Sequence, residues 1–407
     1  MGKKLVVIGG GAAGFFCAVN AARLNPDLQV TIVEKSGKVL SKVKVSGGGR
    51  CNTTHACFEV NDLVQYYPRG KNFLKKSFHR FSPADTIQWF KERGVTLKTE
   101  ADGRMFPVTD NSQTIIDCLL REANQYKVVL LLHADAKDIQ RKAEGFALSL
   151  ADGRELEADA ICIASGGFGK EEQFNWLRKL SHTIEKPVPS LFTFNMPRNA
   201  ITSLMGVSVP DAQVKVAGSK LVQQGPLLIT HWGMSGPAIL RLSAWGARYL
   251  AEQQYHFSIY VNWVPAYSEQ TLRDAWTSIR NDYAQQRMGN KNPFQLPGRL
   301  WAYLLQYCEA DENTRWGELP SKQQNKLIQA LTMQLFEVKG KTTFKEEFVT
   351  CGGIKTSEIE PSTMESRQVP GLYFAGEIMD VDGVTGGFNF QHAWTSGWIA
   401  AGAIASI

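Results

Sequence analysis

Paired cysteine motifs, dense runs of one charge and long apolar stretches are all missing here, and each absence removes a class of protein. The seven cysteines (17, 51, 57, 118, 162, 308 and 351) are scattered, odd in number and contain no Cys-x-x-Cys pair. That argues against a zinc site, an iron–sulfur cluster and a disulfide framework, and suits a reducing compartment. The 45 basic and 39 acidic residues leave a net charge of +6, with no Lys/Arg block. Nucleic acid and anionic membrane are therefore not expected partners, although a diffuse positive field can attract an anionic small molecule. No apolar run reaches the roughly 20 residues needed to span a bilayer. Met1-Gly2-Lys3-Lys4 before an apolar run superficially suggests a secretion signal, but glycines at 9, 10, 11 and 14 break it. A cytoplasmic, membrane-free protein is expected, with its oligomeric state unread. A length of 407 residues, 43% of them hydrophobic, suffices for two or three domains.

What is present begins at once. Leu5-Val6-Val7-Ile8 reads as a parallel strand buried on both faces. Gly9-Gly10-Gly11-Ala12-Ala13-Gly14 follows, then a helical stretch from Phe15 to Leu24 and a turn at Asn25-Pro26-Asp27. A second strand, Gln29 to Val33, ends in Glu34 and Lys35. Gly9 permits the tight turn, Gly11 lets backbone approach a pyrophosphate, and Gly14 lets helix and strand pack closely. The helix N-terminus, with Ala12 and Ala13 in its first turn, offers N–H groups to phosphate. Glu34 is placed to accept hydrogen bonds from a ribose diol. A dinucleotide-binding unit is the expected reading, a plain βαβ unit with a glycine turn the alternative. The motif alone does not separate FAD from NAD.

Three further segments, each partly by resemblance, favour FAD. Ser46-Gly47-Gly48-Gly49-Arg50-Cys51-Asn52, behind Lys42 and Lys44, can form a backbone anion cradle beside a guanidinium. Val128 to Ala136 reads as a strand, and Phe146 to Leu150 with Asp152-Gly153 as a small meander. The meander ends in Ala160-Ile161-Cys162-Ile163-Ala164-Ser165-Gly166-Gly167, which resembles the A-T-G-G strand end of two-dinucleotide-fold flavoproteins. Near the C-terminus, Gly371 to Gly376-Glu377, Asp380, Gly386-Gly387-Phe388-Asn389 and an apolar helix from about Gln391 to Ile404 resemble that class's second FAD fingerprint. There the acid contacts the ribityl or pyrophosphate part, and the last helix points its N-terminus at the flavin.

Together with Met105-Phe106-Pro107 and Thr230-His231-Trp232-Gly233-Met234-Ser235-Gly236-Pro237, these strings resemble the BaiN/RdsA-like bacterial flavoproteins over essentially the whole chain. The resemblance implies an α/β fold: a Rossmann-type FAD-binding domain with an inserted β-rich, barrel-like subdomain and a helical subdomain. The expected boundaries are 1–190 plus 345–407 for the discontinuous FAD domain, 191–265 for the β-rich insertion and 266–344 for the helical part. Helical patterns at Ser268 to Gln286 and Gln323 to Phe336 agree. By the same resemblance Gly9, Gly11, Ala12, Ala13, Gly14, Glu34, Lys35, Lys42, Ser46, Gly47, Gly48, Arg50, Cys51 and Asn52 are cofactor contacts. Ala136, Ala164, Gly166, Gly376, Glu377, Asp380, Gly386, Gly387, Phe388 and Asn389 complete that set. The chain departs from the family at Phe168 to Trp176 and at Thr53-Thr54-His55.

A flavoenzyme needs no catalytic triad, because the isoalloxazine carries the redox chemistry. His231 could move a proton near neutral pH or simply brace a turn, and His392 could face the flavin or pack its helix. Arg50 could neutralise phosphate or charge developing on flavin. Cys51 lacks the second cysteine that a dithiol exchanger needs. Trp232, Trp394 and Trp398 could line a pocket. The expectation is non-covalent FAD, hydride transfer with a small organic substrate, and NAD(P)H as a transient donor, since no second G-x-G-x-x-G is present. Amine oxidation with oxygen, a flavin-dependent RNA modification and a non-catalytic flavin-stabilised protein are the rivals.

Overall fold

The computed structural model describes residues 2–342 and 349–407, so the boundary expected between 344 and 345 lies outside the described residues. Two compact units emerge: Met1–Ser190 with Lys345–Ile407, and Leu191–Phe344.

Both chain ends build the first unit. Five parallel strands lie in the order Leu372–Phe374, Ala160–Ile163, Lys4–Ile8, Gln29–Val33, Val129–Leu131. Leu5 pairs with Ala160 on one side and Val30 on the other, and Ile163 pairs with Phe374. The inner strands are apolar on both faces because helices cover both. The first helix, Ala12–Leu24, is buried from Ala13 to Ala22, and the last helix, Phe388–Ile404, is buried nearly all round, its polar Gln391, His392, Thr395 and Ser396 included. They pack backbone to backbone: a Cβ on Gly397 would stand 2.7 Å from the Ala13 carbonyl oxygen. A glycine there lets two buried helices share one layer.

Two expected elements change shape. The stretch 128–136 is not one strand: it stops at Leu131, turns through His133 in the left-handed region (φ +52°) and restarts at Ala136. Ala136–Arg141, Phe146–Leu150 and Glu155–Ala158 then form a three-stranded antiparallel sheet. The strands Ile184–Ser190 and Val349–Ile354 pair antiparallel, with Ser190 opposite Val349.

The second unit is a seven-stranded antiparallel sheet running from Gln334–Lys339 at one edge to Lys341–Thr342 at the other. Those edges are consecutive in sequence, so the sheet curls until they meet at Gly340. Its N–H donates to Tyr255 O (2.8 Å), and its carbonyl accepts from Asn195 N (3.1 Å). The strand-rich and helical stretches share one core, in which Val214, Ile229 and Ile259 pack in a single cluster with Trp276, Trp301 and Trp316. The helix expected over 323–336 spans Ser321–Met333 and gives way to the strand Gln334–Lys339, whose residues alternate buried and exposed. The helix expected from Ser268 to Gln286 spans Glu269–Asp282, with the Ser268 hydroxyl accepting from Thr271 N (3.1 Å). Among the described residues no helix is long and apolar enough to cross a membrane, and no cluster could hold a metal ion.

Candidate cofactor site

In an open parallel sheet, ligands settle beyond the carboxyl ends of the strands. Beyond Ile8, Gly9 takes φ +115° because a Cβ would come within 2.3 Å of Ala164 O, and a Cβ on Gly14 would lie 2.0 Å from Gly9 O. These two glycines close the turn. Gly11 differs: a Cβ there would meet nothing within 4 Å. It is the N-cap of the first helix, with no side-chain cap and no acid in the first turn. The N–H groups at Gly11, Ala12 and Ala13 therefore begin a helix whose first turn carries no acid of its own. Glu34 stands beyond the next strand, its carboxylate accepting from Gly10 N (2.8 Å) and Ser36 N (2.9 Å). Two backbone donors leave lone pairs on both oxygens. Lys35 beside it is exposed.

Residues 40–52 carry the site across the unit. Leu40 N donates to Gly10 O (2.8 Å), and a helix starts at Ser41. It breaks at Ser46, after which Gly47, Gly48 and Gly49 are all left-handed (φ +58°, +69° and +86°). No atom stands where a Cβ on Gly48 or Gly49 would go, so successive backbone amides line an open concavity. Arg50 lies over the Phe106 ring (4.0 Å) and pairs with Glu100 (2.6 Å) and Asp110 (3.6 Å). Its charge is already balanced by these carboxylates. The Cys51 thiol is fully buried and pushed up to about 11 by burial, which leaves it a neutral thiol and a poor nucleophile. With its amide turned to satisfy both neighbours, Asn52 accepts from Gly387 N (3.0 Å) and donates to Thr54 O (3.1 Å).

The C-terminal segment completes the rim. Gly376 (φ +73°) passes so close to the first helix that a Cβ would lie 2.8 Å from that of Ala13. Glu377 takes Lys42 Nζ at 2.6 Å on one oxygen and Thr350 N at 2.8 Å on the other, beside Gly166 and Gly167. Asp380 N donates to Ile354 O (2.8 Å). Gly387 (φ +93°) would place a Cβ 2.5 Å from Thr54 O, and it caps the last helix, again without a side-chain cap or first-turn acid. Phe388 and Asn389 turn inward. Phe388 is buried and stacks on Tyr66 (4.4 Å) and His55 (4.7 Å), while the Asn389 amide holds both backbone groups of Gly383. Ala136 opens the small antiparallel sheet beyond Glu34, and Ala164 is buried under Gly9.

The three residues weighed for proton transfer and charge sit in different settings. Arg50 is engaged as described. His392 is buried, with Nε2 3.1 Å from Gly376 O and its proton affinity lowered to about 4 by burial. A carbonyl only accepts, so Nε2 donates; the neutral ring holds the Gly376 turn, which is the packing role. His231 is exposed at the turn between Val222–Thr230 and Gly233–Ser235 in the second unit, edge-on to Trp232 at 4.2 Å. Trp394 is core, its Nε1 donating to Thr53 O (2.9 Å), and Trp398 stacks on Phe81 (5.1 Å).

Sequence reasoning missed Thr350, and it missed the buried Asp382. The Asp382 carboxylate takes Arg69 through two bonds, one of them from Nε at 2.5 Å, and the Ser190 hydroxyl at 2.7 Å. Both lie outside any glycine motif, and their partners are 27 to 313 residues away.

Comparison with known proteins adds three results. Residues 3–403 match the HI0933-like protein Rossmann domain. The chain is 28% identical to a 3-dehydro-bile acid delta(4,6)-reductase of Clostridium scindens, over 99% of both chains. It is 32% identical to a ribosomal RNA dihydrouridine synthase of Escherichia coli K12, over 97% of this chain and 96% of that one. Among solved structures it is similar in fold to a flavocytochrome c3 fumarate reductase (TM-score 0.52, 15% identity, 99% of this chain and 78% of that one). It is likewise similar to the 3-ketosteroid-delta4-(5alpha)-dehydrogenase of Rhodococcus jostii RHA1 (TM-score 0.51, 11% identity, 98% and 97%).

Proposed function

This chain belongs to the HI0933-like Rossmann family, and from that premise we propose that it is an FAD-dependent oxidoreductase that reduces a carbon–carbon double bond conjugated to a carbonyl. The observation that carries the reading is the pair of uncapped, glycine-led helix N-termini at Gly11 and Gly387, joined by residues 40–52. That segment touches Gly10 at one end and Gly387 at the other, a layout suited to an extended dinucleotide rather than a compact nucleotide.

The fit is residue by residue. The Gly11 helix N-terminus and the Gly47–Gly49 concavity would hold the diphosphate, and Glu34 the adenosine ribose. The last helix would bring its positive end to the ring. FAD, when bound, supplies a two-electron relay between a nicotinamide donor and the substrate. What the protein contributes is orientation, exclusion of water and a positive end near developing negative charge. The relatives' names support double-bond reduction, since a delta(4,6)-reductase and a dihydrouridine synthase both add hydrogen beside a carbonyl.

Anaerobic mixing tests the reading. Yellow protein bleached by NADH or NADPH, then re-oxidised by a conjugated enone, supports it. Bleaching by a primary amine without nicotinamide would instead establish amine oxidation. A second reading keeps the chemistry and changes the substrate to a uracil ring within RNA. It is favoured by the 32% relative and by an uneven charge distribution: residues 191–344 hold 15 Lys/Arg against 10 Asp/Glu, leaving +5 of the chain's +6. Filter binding to ribosomal RNA at moderate salt separates the two, with tight retention favouring RNA.

A further inference from the structure

Two arginines of the second unit stand directly opposite each other. Arg287 and Arg315 form an antiparallel bridge, flanked by Met288 N donating to Thr314 O (2.9 Å) and Trp316 N donating to Gln286 O (3.0 Å). With its bonds on either side, this is the non-hydrogen-bonded kind of pair, whose Cα atoms lie about 4.5 Å apart and whose side chains come closest. Met288 and Trp316 are buried, so the arginines beside them project from the other face, where both are exposed. Like charges placed this way are destabilising. Elsewhere the chain answers such convergence with an acid: Arg50 and Arg104 meet at Glu100, at 2.6 and 3.1 Å. Here amides take that place. Arg287 Nη1 donates to Asn313 Oδ1 (3.3 Å), and Arg315 Nη1 donates to Gln285 Oε1 (3.2 Å). Asp311 accepts from the other side of Asn313, from its N (2.9 Å) and Nδ2 (3.2 Å). Among the described residues, neither guanidinium has a carboxylate partner.

We infer that Arg287 and Arg315 form a phosphate-binding site. The amide carbonyls orient the two guanidinium forks without neutralising them, and one bond apiece leaves most of their N–H donors free. The chemistry favours phosphate over carboxylate. A carboxylate offers one coplanar pair of oxygens, which a single fork fills, whereas phosphate oxygens point in different directions and can serve two forks at once. Arg280 adds positive charge near the end of the same ladder. Its Nη2 donates to Gly317 O (2.6 Å), two residues past Arg315, and its Nη1 to Gln324 Oε1 (3.2 Å). The phosphate belongs either to a free phosphorylated compound or to the backbone of an RNA strand; the recognised group is the same. All three arginines lie in the second unit, so the site stands whether or not the FAD reading does. An RNA source would give the second reading above one of its contacts.

The test compares the full parent chain with Arg315→Gln, which removes one fork, and Arg315→Lys, which keeps the charge and loses the fork. Inorganic phosphate and a mixed-sequence RNA oligonucleotide are the probes, and thermal unfolding at low salt is the folding control. At constant ionic strength the parent should bind phosphate with a Kd of about 1 mM. Glutamine should weaken that by roughly tenfold or more, the worth of a charge-assisted hydrogen bond, with lysine between the two. If the phosphate is that of RNA, glutamine also weakens the oligonucleotide and makes its salt dependence shallower by about 0.7 in logarithmic slope. If it is that of a free compound, parent and variant retain RNA equally while differing in phosphate. Folded Arg315→Gln protein that binds phosphate as the parent does overturns the inference, and so does a parent that takes up no phosphate. A clearly lower unfolding temperature for Arg315→Gln at low salt also counts against it, because the opposed charges would then not be in conflict.

Discussion

Gly11 and Gly14 are three residues apart in one turn, but they answer to different constraints. Gly14 is required by the fold, because any side chain would drive into Gly9 O. Gly14→Ala should cost about 1–3 kcal/mol, the usual range for overpacking, visible as a lower urea midpoint in protein without cofactor. Around Gly11 there is open space, so Gly11→Val should leave that midpoint within about 0.5 kcal/mol while abolishing FAD uptake. An equal loss of stability in both would show that Gly11 serves packing, and the diphosphate assignment would fail. Burial makes a second residue-scale effect at His392. Its folded-state affinity for a proton, about 4, lies below the roughly 6.5 of the unfolded chain. The unfolded state thus protonates first as pH falls. His392 contributes stability above pH 6.5 that is lost progressively toward pH 4, about 3 kcal/mol in all. Burial also lowers His55 and His182, so the measurement is a difference. His392→Gln, whose amide can still reach Gly376 O, should show a shallower fall of unfolding free energy from pH 7 to pH 4. Parallel curves would contradict the assignment.

Elements show why some of this was readable in advance and some was not. Local patterns with a mechanical cause were legible: the run Leu5 to Ile8, its glycine turn, and an apolar stretch ending the chain. Their partners are set by the same edge-to-edge hydrogen bonding that any parallel strand makes. Illegible features depended on distant partners. Nothing near 334 announces that Leu335 will be exposed and Phe336 buried, because the helical pattern over 323–333 continues smoothly into a sheet edge. Thr350 looks like any strand threonine until Gly167 is folded against it. Asp382 looks like a loop acid until Arg69 arrives. That pair ties the loop before Gly386 to the residue at the start of the ribbon, Ser190. Asp382 is buried completely and Arg69 is nearly so. Removing one partner should then cost about 3–5 kcal/mol through the uncompensated charge. Asp382→Ala is expected to lower the urea midpoint accordingly and to lose FAD, since the Gly386–Gly387 turn follows directly. A midpoint shift below about 1 kcal/mol would mean that the guanidinium finds water.

At the scale of the whole molecule, the chain leaves the first unit at Ser190 and returns to it from Lys345, and Ser190 and Val349 face each other across an antiparallel pair. Opposed residues in such a pair have Cα atoms about 5 Å apart, which a two-residue Asn-Gly turn closes without strain. The insertion is therefore removable on geometric grounds: joining Ser190 to Val349 through Asn-Gly converts the ribbon into a hairpin and leaves every parallel strand, both glycine-led helices, Glu377 and Thr350 in place. The shortened protein should fold, turn yellow with added FAD, and bind it within about tenfold of the parent. His231 and 16 of the 45 basic residues leave with residues 191–348. If that segment supplies the substrate's contacts, bleaching by NAD(P)H should persist while re-oxidation by an enone, and any retention of RNA, falls away. A shortened chain that folds but stays colourless would show that the cofactor needs residues 191–348. Both FAD and the conjugated-bond chemistry would then have to be re-derived from a site shared by the two halves of the sequence.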